Sequence, residues 1–84
     1  TRHDVFLFAL STCGWCARTR EFLEENEIDY DYIYVDLLTG EEREETLSEL
    51  KKWTSRRAFP TVVVDEDDVL VGLDEDKLRE SLDL

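Results

Sequence analysis

The apolar run Val5-Phe6-Leu7-Phe8-Ala9-Leu10 leads through Ser11 and Thr12 into Cys13-Gly14-Trp15-Cys16, and a stretch with helical periodicity follows at once. That order demands a strand, a tight junction and a helix in direct succession. It sets the first cysteine at a helix N-terminus, where unpaired backbone N–H groups and the positive end of the peptide dipole favour thiolate over thiol. Cys13 is therefore the candidate nucleophile at neutral pH, and Cys16 lies within reach to close a disulfide with it.

These are the only two cysteines in 84 residues, and they are too close in sequence to staple distant elements. The chain must hold itself together with a hydrophobic core. Its length allows one domain, residues 1–84, near the lower end of what a core alone can stabilise. With 42% hydrophobic and 11% aromatic residues such a core is within reach, and disorder is not expected. A lone pair of this kind suits a reducing, cytoplasmic setting. No signal-peptide pattern is found, no apolar run approaches the ~20 residues of a membrane span, and Thr1 is not read as a native start.

Charge narrows the partners further. Twenty-two acidic residues against ten basic ones give a formal charge of −12, a field that disfavours nucleic acid and anionic membranes. The acidic surface has two readings, simple solubility or adaptation to a salty cytoplasm.

The pattern predicts a first strand over residues 5–10, capping hydroxyls from Ser11 and Thr12, and a helix over 14–26. That helix buries Cys16, Thr19, Phe22 and Leu23 on one face. Residues 30–37 alternate, with Tyr30, Tyr32, Tyr34 and Asp36 on one side and Asp31, Ile33, Val35 and Leu37 on the other, and are rich in β-formers, so they read as a second strand. Thr39 followed three residues later by Glu42 reads as a capping box for a helix reaching about residue 55, which buries Leu47, Leu50 and either Trp53 or Thr54. Residues 61–64 form a buried strand, 65–68 a polar turn, and 69–71 the return strand of a hairpin. After Gly72, Asp74 caps a last helix with Leu78 and Leu82 inward. The order β-α-β-α-β-β-α is that of an α/β fold with a four-stranded mixed sheet flanked by helices, the first two strands parallel. Ligands of such sheets collect at the carboxyl ends of the parallel strands, where Cys13 falls.

Three landmarks carry a family resemblance: the Cys13-x-x-Cys16 pair with an aromatic third residue, the single proline in Phe59-Pro60-Thr61, and Val71-Gly72-Leu73-Asp74 before the final helix. In these the chain resembles the thioredoxin superfamily and, within it, glutaredoxins and short glutaredoxin-like redoxins. The likeness covers nearly the whole chain. It implies a thioredoxin-like fold and a thiol–disulfide oxidoreductase acting on protein or small-molecule disulfides. It implies no tightly bound cofactor beyond the redox-active disulfide, a monomer, and a small thiol or a reductase as electron source. The middle residues depart from the common Cys-Pro-Tyr-Cys, because Gly14 replaces a proline that would pre-set the first helical turn. Small residues at that position accompany dimeric [2Fe-2S] carriers in some relatives, so a cluster bridged by Cys13 and an exogenous thiol is the alternative.

On the leading reading Cys13 attacks and Cys16 resolves. Arg18, the helix N-terminus and a backbone N–H of the turn are expected to favour the Cys13 thiolate. Half a zinc site is the competing use of the pair, but two further ligands are needed and only His3 and carboxylates are on offer, so no metal site is expected. The resemblance implies that Pro60 is cis and faces the dithiol, keeping metal out, with the Phe59 backbone open to an extended substrate. Trp15 is either an apolar platform with Phe59 or a packed helix residue. Thr61 belongs to the chain flanking the proline. Arg56 and Arg57 either meet a ligand carboxylate or complement the end of the second helix. Gly72, Leu73 and Asp74 match a glutathione-binding element in part, with Leu73 where a second glycine is usual, and Asp74 reads first as a helix cap. Ser11 and Thr12 stand where such proteins often carry a cation. Glutathione, coenzyme M or another small thiol, and a thioredoxin-reductase-type enzyme all remain candidate donors.

Overall fold

In the computed structural model, which describes residues 4–54 and 58–84, the apolar run forms β1 (Val5–Ala9) at the centre of the sheet. Only Phe6 of its five residues is exposed. β2 (Asp31–Tyr34), β3 (Thr61–Val64) and β4 (Asp68–Val71) complete a sheet ordered β2-β1-β3-β4. β1 runs parallel to β2, with Leu7 opposite Tyr32 and Ala9 opposite Tyr34. It runs antiparallel to β3, with Val5 opposite Val64 and Phe8 opposite Thr61. β4 returns antiparallel to β3, pairing Val62 with Leu70.

Strand alternation divides the core in two. Val5, Leu7 and Ala9 of β1 join Val62 and Val64 of β3 beneath α1 (Gly14–Glu25) and α3 (Glu75–Ser81), which contribute Cys16, Phe22, Leu23 and Leu78. Phe8 and Val63 point the other way and meet Leu50 of α2 (Gly40–Trp53) together with Val35. Being covered on both faces explains why β3 reads as four apolar or small residues in a row. Leu7, Leu23, Leu50 and Leu78 are each at most 1% exposed; full burial of such a side chain stabilises by about 1.5–3 kcal/mol.

The predicted architecture stands, with local corrections. β2 stops at Tyr34 and residues Val35–Leu37 form a 3-10 turn, where the sequence pattern predicts strand through residue 37. The reason lies in its partner: β1 ends at Ala9, opposite Tyr34, because the chain must turn there into the cysteine loop. Beyond that point no ladder is available. Ser11 and Thr12 do not cap α1, since Cys13 itself is the N-cap and Ser11 is bonded to Asp36. Thr39 occupies the N-cap position of α2 with extended backbone but makes no side-chain cap hydrogen bond. Leu50 is buried as expected, while Leu47, Trp53 and Thr54 are half-buried. The expected helix end near residue 55 lies outside the described residues.

β2 is an edge strand, and Arg20 of α1 covers one face of it. Its guanidinium carbon lies 4.0 Å from the Tyr32 ring centroid. Its Nε donates to the Tyr30 hydroxyl at 3.0 Å and Nη1 to the Tyr34 hydroxyl at 2.5 Å.

Candidate dithiol site

The site is assembled where β1 hands over to α1. Cys13 has extended backbone (φ −89°, ψ 116°), and its Sγ accepts the Cys16 N–H at 3.3 Å, so the sulfur itself caps the helix. Its own N–H donates to the Leu10 carbonyl at 3.2 Å, which closes the turn. The sulfur atom thus meets one of the helix's unpaired N–H donors, the interaction that stabilises negative charge at this position. Both cysteines are free thiols in this structure.

The two sulfurs differ sharply in environment. Cys13 is half-buried, whereas Cys16 has no exposed surface and belongs to the core beneath α1. Burial pushes the Cys16 thiol up to about 12, aided by its hydrogen bond with Cys13 and by the negative charges of Cys13 and Asp36. A backbone hydrogen bond with Leu10 acts in the opposite direction without prevailing. One sulfur is accessible and held by a helix terminus; the other is kept protonated out of solvent.

Asp36 is the neighbour that the sequence did not single out. Its carboxylate accepts the Ser11 N–H at 2.8 Å and the Ser11 hydroxyl at 2.5 Å. These two bonds hold the Asp36 carboxyl below its ordinary range, the hydroxyl contributing most. They fasten the cysteine loop to the 3-10 turn after β2. An Asp in an apparently alternating strand gives no sign of such a bond, and only the sheet register brings Ser11 and Asp36 together.

The second landmark lies alongside. The Phe59–Pro60 peptide is cis, as expected, and Pro60 is fully buried. Its carbonyl accepts the Gly72 N–H at 2.7 Å, tying the proline turn to the end of β4. Gly72 has φ +81°, in the left-handed region that side chains other than glycine's rarely adopt. Thr61 is buried, and its hydroxyl donates to the Ala58 carbonyl at 2.7 Å, which leaves its side chain engaged within the turn. Cys13, Phe59 and Leu73 all pack, half-buried, against the core that contains Cys16. Asp74 caps α3 by accepting the Lys77 N–H at 3.2 Å.

Trp15 is 62% exposed, which excludes the packed-helix alternative and leaves an apolar surface directly before Cys16 and two residues after Cys13. Arg18 lies over its ring, 5.9 Å from the centroid. Arg56 and Arg57 lie outside the described residues. Among the described residues no group of three or more His, Cys, Asp or Glu side chains is placed to hold a metal ion.

A strand, Cys-x-x-Cys and helix set beside a cis-proline strand, on a sheet ordered β2-β1-β3-β4, define a thioredoxin-like fold carrying a dithiol. The family model described as Glutaredoxin matches residues 5–69, well over half of the chain, and the chain belongs to the glutaredoxin family. The structure is similar to that of the glutaredoxin from Methanosarcina mazei Go1, with 38% identity, a TM-score of 0.88 and coverage of 96% of this chain and 79% of that one. It is similar also to Methanosarcina acetivorans methanoredoxin, with 31% identity, a TM-score of 0.93 and coverage of 99% and 87%. Glutaredoxin 1 of Rickettsia felis is 27% identical over 63 residues, which span 75% of this chain and 59% of that relative's length.

Proposed function

We propose that the chain is a thiol–disulfide oxidoreductase that reduces protein or small-molecule disulfides through Cys13 and Cys16, as a monomer in a reducing cytoplasm. The unequal burial of the two sulfurs is the observation that carries this reading. The Cys13 thiolate attacks one sulfur of the substrate disulfide, forming a mixed disulfide and releasing the first substrate thiolate, which takes up a proton. Cys16 then loses its proton and attacks the Cys13 sulfur. The Cys13–Cys16 disulfide forms as the second thiolate leaves, so two electrons pass from the dithiol to the substrate. Two equivalents of a small thiol, or a reductase, restore the dithiol.

The donor is glutathione, another small thiol such as coenzyme M, or a thioredoxin-reductase-type enzyme, and the residues around the dithiol favour one of the last two. Ser11 stands where the family resemblance puts a glutathione-binding cation, and here it is bonded to the Asp36 carboxylate. Trp15, Phe59 and the Gly72-Leu73-Asp74 turn form the substrate-facing surface, with Pro60 and Thr61 buried beside it; Arg56 and Arg57, outside the described residues, are the candidate partners of a ligand carboxylate. Reducing the oxidised protein in parallel with glutathione, coenzyme M and a thioredoxin reductase with NADPH tests the donor; fastest turnover with glutathione contradicts this reading. Cys13→Ser is expected to lower disulfide reduction to background. Cys16→Ser should accumulate the mixed disulfide, visible by mass spectrometry, and lose turnover to a similar extent. The [2Fe-2S] alternative is tested in the same preparations, where a brown dimer would favour it over a colourless monomer.

A further inference from the structure

On the α2 side of the sheet, at the end opposite the dithiol, lies a cavity of about 350 Å³. Phe6, Phe8, Val63 and Trp53 supply its apolar surface. The rings of Phe6 and Phe8 touch at a centroid distance of 4.9 Å, and Phe6 is 36% exposed in an otherwise buried strand. α2 covers the sheet through Leu50, which is buried, but Leu47 and Trp53 on either side of it are only half-buried. An apolar groove is left open beside the helix. Its volume lies at the small end for ligand pockets and suits one or two large side chains.

Among the described residues the rim is of one sign: Asp4, Asp31, Glu45, Glu49 and Glu66 all line the cavity, and no basic residue does. Glu49 pairs with Lys52 at 3.0 Å; among the described residues Asp4, Asp31, Glu45 and Glu66 make no ion pair. Low-dielectric walls beneath a ring of carboxylates concentrate a negative potential over the groove. The same charges oppose a second copy of a chain that carries −12 overall.

We propose that this groove is a docking surface for a basic peptide segment of a partner protein, one whose lysines or arginines flank a single aromatic or large aliphatic side chain. The apolar side chain would fill the space over Phe6 and Phe8, and the flanking cations would meet Glu45 and Asp31 on one side and Glu66 and Asp4 on the other. Such a partner binds away from Cys13, so the dithiol stays open while the partner is held. The proposal stands apart from the reading of the dithiol.

The probe is an amidated pentapeptide of lysine, arginine, tryptophan, arginine and lysine, titrated into the intact protein and followed by backbone amide NMR. Shifts are expected to cluster on Phe6, Phe8 and Trp53. A second peptide with glycine in place of the tryptophan should bind at least fivefold more weakly, and Glu45→Lys with Glu66→Lys should weaken the first peptide at least tenfold. Disulfide reduction by that double variant should be unchanged, which also shows that it folds. Equal binding of both peptides, shifts spread over the acidic surface or centred on Trp15, or no binding at all would overturn the proposal. So would a concentration-dependent dimer that Phe6→Ser abolishes, because the groove would then belong to a second copy.

Discussion

At Cys16 burial decides chemistry. A thiol that is raised to about 12 from an ordinary 9.0 stays protonated through the neutral range, which on the proposed reading holds Cys16 back until Cys13 is engaged in a mixed disulfide. The same shift is a stability statement. Above about pH 9 the unfolded chain gives up the Cys16 proton while the folded chain retains it until about 12. The stability tied to this group is therefore complete below 9 and is lost as pH rises through that window. Urea unfolding of the reduced protein should show a midpoint that falls between pH 8 and pH 10.5, with a shallower fall in Cys16→Ala. Asp36 behaves in the opposite sense, since its carboxyl is lowered and the stability it lends is lost as pH drops below the ordinary carboxylate range. Ser11→Ala removes the larger of the two causes, and the Asp36 carboxyl carbon should then titrate at higher pH by NMR. Of these two residues only Cys16 was legible in the sequence. Its spacing from Cys13 and its apolar helical neighbours already placed it inward, whereas the Ser11–Asp36 contact spans a crossover that no local pattern encodes.

The helices separate cap signals that work from one that does not. Asp74 was read as a cap and is one, accepting the Lys77 N–H. Thr39 carries an equally good sequence signature and occupies the right position, but its side chain makes no such bond. Asp74→Ala is expected to cost about 1 kcal/mol, the usual loss for an N-cap, and Thr39→Ala less than about 0.5 kcal/mol, as for a surface change. Thermal or urea unfolding distinguishes the two. Within α3 the inward residue matters more: Leu78 has no exposed surface, and Leu78→Ala should cost about 2–5 kcal/mol by the same measurement. Helix and strand periodicity made all seven main elements legible to within a residue or two, except at the end of β2. There the alternation of Tyr30 to Leu37 continues past the point where β1 can still pair with it, and pairing, not propensity, ends the strand.

Over the whole molecule the acidic surplus is the dominant electrostatic feature. The pair between Lys52 and Glu49 is exposed, and it leaves the formal charge of −12, which already counts both residues, unchanged. An exposed pair of this kind contributes at most about 1 kcal/mol, so mutual repulsion of carboxylates is the larger effect and screening should relieve it. The melting temperature is expected to rise steadily from low to about molar potassium chloride; a flat or falling profile would count against a salt-adapted surface. The sequence by itself determined the order of elements, the two-sided core and the identity of the dithiol, because each of these rests on local periodicity or on spacing along the chain. Tertiary structure alone decided how far its surroundings raise the Cys16 thiol, that Asp36 anchors the cysteine loop, and that α2 leaves an acid-rimmed groove at the far end of the sheet. All three depend on which side chains the sheet register and helix packing bring together across long stretches of chain, and that information is carried by no segment on its own.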